Sequence, residues 1–170
     1  KTDYLVESRG NFFEVTETSY PRVDNLRKKA KDRLSVSFDF PIFIKRDWNY
    51  NAYTTGSKAP IMVLHSSVVE DFTDEELLFI IGHEMGHRKS KHTMFHLMAT
   101  NIFTIASKFG YLGEIAMQSL IIALKEWERK SELTADRAGY IANQNKRASM
   151  NALYKLMGMP FLHNDDKGYN

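Results

Sequence analysis

The chain of 170 residues contains no cysteine. That excludes a disulfide framework, a thiolate metal site and a cysteine nucleophile, while leaving the compartment undefined. No G-x-S-x-G elbow accompanies a catalytic serine. Charge of either sign is nearly balanced, with a net +2, so nothing favours nucleic acid as a partner through bulk electrostatics. There is no internal repeat and no low-complexity stretch. Long apolar runs are also missing. The most apolar region, residues 93–124, is broken by His96, Thr100, Asn101 and Thr104 and by Gly110 and Gly113, and is followed at once by Lys125. Neither Met94–Ala106 nor Ile115–Leu124 reaches the roughly 18–20 uninterrupted apolar residues that span a bilayer. The stretch reads as a helical hairpin packed on the domain, with no transmembrane span, though association with a membrane surface stays open. The chain starts Lys1-Thr2-Asp3, without Met or a signal-peptide core, as a trimmed or mature form would.

With 43% hydrophobic residues there is enough for one real core. The expectation is a single domain over residues 1–170, its core at about 20–160. Pro21 opens a basic amphipathic helix with Val23, Leu26, Ala30 and Leu34 inward. Residues 36–46 alternate as a strand interrupted or edged at Pro41. Ala52–Thr55 and Pro60–His65 read as two further strands joined by turns at Asn49–Asn51 and Gly56–Lys58. Three short strands with tight turns suggest a small antiparallel sheet. The rest is helical: a capped helix from Thr73, a long segment from about Glu114 to Asn143, and a last helix, Arg147 to Met157, closed by Gly158. The fold class is therefore α+β, mainly helical.

The most informative residues are His83-Glu84-Met85-Gly86-His87. On a helix this HExxH spacing puts two imidazoles on one face, one turn apart, within reach of one zinc ion. Glu84 lies beside the metal, where it can take a proton from a zinc-activated water. Chance explains the motif poorly: this composition yields it about 0.013 times per chain of this length. The helix has its own signals. Thr73-Asp74-Glu75-Glu76 is a capping box, and Leu77, Leu78, Ile80, Ile81 and Met85 form an apolar stripe. Gly82 and Gly86 each cost about 1 kcal/mol in a helix relative to Ala. Their position beside the two histidines implies that another element packs closely there.

A catalytic zinc needs a third protein ligand. Position 93 is Thr, which excludes a third histidine at that spacing, and His92 falls on another side of the helix. Glu132 and Asp136, four residues apart, share a helix face. One could bind zinc while the other accepts the free N–H of a liganding imidazole. Glu126 and Glu128 read as solvent-facing charges beside Lys125, Arg129 and Lys130.

The HExxH run, followed 45 residues later by Glu132-Leu133-Thr134-Ala135-Asp136-Arg137-Ala138-Gly139, resembles the HtpX-like and CAAX-prenyl-protease-like zinc metallopeptidases, a branch of the gluzincins. Asn51-Ala52-Tyr53-Thr54-Thr55-Gly56 is similar to the strand that precedes the active-site helix in that family. The resemblance spans about residues 20–160. It implies a zincin-like fold in which the hairpin leads to the third-ligand helix. It implies one Zn2+ per chain on His83, His87 and Glu132, with Glu84 as general base and Asp136 behind a ligand. Ala52, Tyr53 and Thr54 would be the sheet edge along which an extended or unfolded polypeptide lies. His163, Tyr140 and Arg137 are candidates to steady the oxyanion. Many members carry two membrane helices between the HExxH helix and the third ligand. Here that stretch is short and polar, which speaks against a membrane-embedded or prenylated substrate. A zinc-dependent endopeptidase is the leading expectation, with two rivals. One is a zinc-binding latent or regulatory module of the same fold, and the other a helical interaction domain with an accidental motif.

Overall fold

A computed structural model describes residues 12–38, 40–56, 60–90, 104, 108 and 110–159. In chain order these form β1 (Phe12–Glu14), α1 (Pro21–Arg33), β2 (Ile42–Lys45), β3 (Ala52–Thr55), β4 (Ile61–His65), α2 (Ser66–Asp71), α3 (Asp74–Lys89), α4 (Gly110–Asn143) and α5 (Lys146–Leu156). The α+β class matches the sequence expectation, as do the positions of α1, α3 and α5, whereas α4 starts four residues before the expected Glu114 and α2 was not anticipated. The sheet differs. It has four described strands in the order β1-β2-β4-β3, and β4 runs parallel to β2 and antiparallel to β3. The physical reason lies in β4: Met62, Val63 and Leu64 are at most 1% exposed. A strand apolar on both faces is stable in an interior position, so β4 inserts between β2 and β3 instead of continuing a meander. The additional strand β1 pairs antiparallel with β2 at the far edge.

Residues 36–38 and Phe40 do not extend β2. Ser35 turns the chain at φ 50° after α1, and Val36 still donates to the Lys31 carbonyl. Phe38 and Phe40 instead meet edge to face, 6.1 Å apart, with the Arg88 guanidinium 4.4 Å from the Phe38 ring centre. The strand begins just beyond Pro41, which has no N–H for a ladder.

The HExxH helix α3 is the most enclosed element. Leu77, Leu78, Phe79, Ile80, Ile81 and Met85 are all at most 2% exposed. Its entry is fixed by the expected capping box: the Thr73 side chain accepts from the Glu76 N–H and the Glu76 carboxylate accepts from the Thr73 N–H. Lys155 of α5 also donates to Glu76 at 2.8 Å and so ties the last helix to this corner. The second arm of the expected hairpin is continuous with α4, a 34-residue helix, with Gly113 inside it. The first arm, Met94–Ala106, falls almost wholly outside the described residues, as do His92 and His163. No described helix is long and apolar enough to cross a membrane.

Candidate metal centre and peptide cleft

Glycine decides how α3 and α4 meet. A methyl at Gly86 would fall 2.7 Å from the Ala138 Cβ and 3.1 Å from the Ala135 Cα. A methyl at Gly82 would collide with the Ala142 side chain, and one at Gly139 would fall 2.8 Å from the Phe79 carbonyl oxygen. Small residues on both helices, Gly82 and Gly86 against Ala135, Ala138, Gly139 and Ala142, thus let the backbones approach closely. The approach matters because the carboxylates that α4 contributes are short. At this separation Glu132 and Asp136 both reach the α3 histidines.

The convergence is tight. The Nε2 atoms of His83 and His87 are 3.0 Å apart. Glu132 places one carboxylate oxygen 3.6 Å from His83 Nε2 and the other 3.6 Å from His87 Nε2. Donor atoms of all three lie within 4.8 Å of one another. A tetrahedral ion with bonds of about 2.0–2.2 Å separates its ligand atoms by about 3.3–3.6 Å, so the set fits zinc. Behind it, His83 Nδ1 stands 3.0 Å from Asp136 Oδ1. With the Nδ1 proton donated to Asp136, the Nε2 lone pair faces the convergence point. Burial disfavours a charged His83 ring, but the Asp136 and Glu132 carboxylates outweigh it and push its pKa up to about 9. Hydrogen bonding to His83 and then His87 holds the Glu132 carboxyl far below the usual carboxylate range. Both effects say that the field at this point favours a positive charge, the condition a cation site requires.

Glu84 is 7% exposed and accepts a 2.8 Å hydrogen bond from the Thr54 hydroxyl on β3. Beside it opens a cavity of about 150 Å³, with His83 and Glu84 at one side and Phe79, Ile80, Leu153 and Leu156 among its walls. Tyr50, Asn51 and Ala52 complete its lining. Tyr50 is held there by donating to Asp71 at 2.9 Å and by packing edge to face on Phe72.

Strand β3 is an edge of the described sheet. Its hydrogen-bonding phase follows from β4. The Met62 N–H donates to the Pro41 carbonyl, toward β2, while the His65 N–H donates to the Asn51 carbonyl, toward β3. Successive residues of a strand present their N–H and C=O to alternate edges. Ile61, Val63 and His65 therefore face β3, and their partners Thr55, Tyr53 and Asn51 face β4. Ala52 and Thr54, opposite Leu64 and Met62, turn their backbone groups to the open edge.

Of the residues singled out from the sequence, His83, His87, Glu132, Asp136, Glu84 and the Ala52–Thr54 strand come together at one place. Glu126 does not: it pairs with Arg129 at 2.9 Å and Lys130 at 3.6 Å. Arg137 and Tyr140 are exposed on the side of α4 turned away from the glycine seam. Sequence reasoning missed the apolar cavity, whose walls come from α3 and α5, elements 70 residues apart. It also missed the Thr54 side chain, although strand alternation puts Ala52 and Thr54 on one face.

Two histidines on a buried helix, a glutamate from a second helix and an adjacent sheet edge are the arrangement of an HExxH metallopeptidase. Residues 22–165 match peptidase family M48, and the chain belongs to that family. It is 30% identical over 157 residues to the plastoglobule-localized metallopeptidase 48 of Arabidopsis thaliana, covering 91% of this chain and 45% of that protein. It is 26% identical over 106 residues to a protease HtpX homolog of Thermodesulfovibrio yellowstonii, covering 61% and 36%. The crystal structure of S. mikatae Ste24p shares the fold, with a TM-score of 0.53 at 19% identity over 89% of this chain and 45% of that one. The chain spans about half the length of the Arabidopsis relative and of the Ste24p chain.

Proposed function

We propose that this chain is a zinc-dependent metalloendopeptidase that cleaves extended or unfolded polypeptide. The observation that carries the reading is the meeting of His83, His87 and Glu132 donors within 4.8 Å, next to a buried Glu84 and an open sheet edge. His83, His87 and Glu132 would hold one Zn2+, and Asp136 would fix the tautomer and raise the basicity of His83. A zinc ion held there would supply Lewis acidity, to acidify a water and polarise the scissile carbonyl. Glu84 removes the water proton and returns it to the leaving amine. The free N–H and C=O groups of Ala52 and Thr54 pair with the substrate backbone, which demands an extended segment and little sequence. Selectivity comes from the cavity beside His83 and Glu84. Its aliphatic and aromatic walls, Phe79, Ile80, Leu153 and Leu156, favour an apolar side chain next to the scissile bond. With Tyr140 and Arg137 turned away from the seam, His163, outside the described residues, is the remaining candidate for the oxyanion.

The test combines elemental analysis of the purified protein with cleavage-site profiling on a peptide library. We expect one zinc per chain and cuts that cluster beside apolar residues in flexible peptides. A protein that binds zinc at these ligands yet cleaves nothing would be the latent module instead. A protein without zinc would discard both readings.

A further inference from the structure

Resting on the assignment of Glu84 as the base, we infer that Thr54 is the residue that positions it, so that one residue joins substrate docking to catalysis. Three observations meet at this position. The Thr54 hydroxyl donates to Glu84 Oε2 at 2.8 Å. The Thr54 backbone, paired opposite Met62, faces the open edge of the sheet. Glu84 is buried, and among the described residues the Thr54 hydroxyl is the hydrogen-bond donor to its carboxylate.

A carboxylate has two oxygens and several rotamers. A base acts well only when one oxygen is aimed at the proton it removes. The Thr54 hydroxyl has one proton to give. By giving it to Oε2 it leaves Oε1 to the water and fixes the plane of the group. A hydroxyl is suited to this role because it holds the charged form of Glu84 without competing for its proton. The β-branched side chain adds stiffness at χ1, so the hydroxyl's direction follows the backbone of β3. A peptide that pairs with the Ala52 and Thr54 backbone therefore orders the same strand that aims the base. Misregistered or weakly paired peptides would bind and yet react slowly.

The test is a comparison of Thr54→Val, Thr54→Ser and Glu84→Gln in the zinc-loaded protein with one flexible peptide. Val keeps the shape and removes the hydroxyl, while Ser restores the hydroxyl. Thr54→Val should lower kcat about tenfold with KM and zinc content within twofold of the parent, and Thr54→Ser should stay within about threefold on kcat. In a Glu84→Gln background Thr54→Val should cost no further activity, since the base it positions is gone. A readout independent of turnover is the melting temperature of the metal-free protein. The shift caused by Thr54→Val should vanish when Glu84 is already Ala. Full kcat in Thr54→Val, equal losses in the Val and Ser variants, or a loss confined to KM would overturn the inference. Inactive Glu84→Gln beside fully active Thr54→Val would remove Thr54 alone. Near-normal turnover in Glu84→Gln would remove the base itself, and Thr54 with it.

Discussion

The two halves of the site are built on opposite terms. The metal half is a seam between α3 and α4, where Gly82, Gly86 and Gly139 leave no room for a single extra methyl. The peptide half is a strand edge and a cavity. There Ala52, Tyr53, Thr54 and Thr55 are all only half-buried, and β3 has a partner on one side. Closely packed backbones hold donor atoms to tenths of an ångström, whereas an open edge accepts many chains by their backbones alone. The contrast suggests that ligand geometry tolerates almost no change while substrate choice tolerates much. Substitutions in the seam should therefore fail in zinc content and substitutions of the strand-edge backbone in KM, while Thr54, whose side chain joins the two halves through Glu84, should fail in kcat.

The largest effect should come from Glu132→Ala. It removes the one proposed ligand on α4, so zinc and peptidase activity should vanish together, as read by elemental analysis and peptide cleavage. Glu126→Ala and Glu128→Ala should retain both. Zinc retained in Glu132→Ala and lost in Glu128→Ala would move the ligand one turn along α4. Next comes Glu84→Gln, which keeps the fold and the metal but should lose about 10²–10⁴-fold or more in kcat, because proton transfer is gone while the donor set is intact. Together these two variants separate holding the metal from using it.

Within the metal half the outer contacts should be graded. Asp136→Ala deletes the acceptor 3.0 Å from His83 Nδ1 and should weaken zinc by about 10- to 100-fold without abolishing the site. Unchanged affinity would make Asp136 an ordinary charge. Gly86→Ala tests the seam itself. Helix propensity favours Ala by about 1 kcal/mol, but the added methyl falls 2.7 Å from Ala138 Cβ, and overpacking of that kind costs about 1–3 kcal/mol. Because the only relief is to push α4 away, the variant should melt lower and bind zinc several-fold more weakly. A more stable Gly86→Ala with full zinc affinity would show that the seam has slack.

The same contrast explains what could be read without coordinates. Local spacing encodes the metal half: His83 and His87 are one helical turn apart, Glu132 and Asp136 are one turn apart, and paired glycines announce a close neighbour. The capping box at Thr73 and the glycine terminator at Gly158 are equally local, so the bounds of α3 and α5 were legible to within a residue or two, whereas the start of α4 and the short α2 were not. Sheet order was not. It depends on β4 seeking cover on both sides, a comparison among strands that no turn signal contains. The cavity was invisible for the same reason, since Phe79 and Leu153 become neighbours only after α5 folds back onto α3, where Lys155 reaches Glu76.

The smallest expected effect belongs to the peptide half, and Ala52→Pro isolates it. Ala52 sits opposite Leu64 in a pair whose hydrogen bonds point outward, so its N–H is not spent on β4. Proline removes that one donor and blocks the approach of a partner strand at that point, and it is tolerated on an edge where φ is already extended. The residue before it, Asn51, is pushed toward extended backbone, which its bond from the His65 N–H at 3.0 Å already requires. The Ala52 side chain carries no polar contact to lose, and Thr54 keeps its hold on Glu84. Ala52→Pro should therefore leave zinc content, melting temperature and kcat close to the parent. It should raise KM for a flexible peptide about five-fold, the worth of one backbone hydrogen bond of about 1 kcal/mol. A fall in melting temperature of many degrees would mean that the Ala52 N–H serves the sheet after all. An unchanged KM with unchanged stability would place the bound peptide on a track that does not use β3.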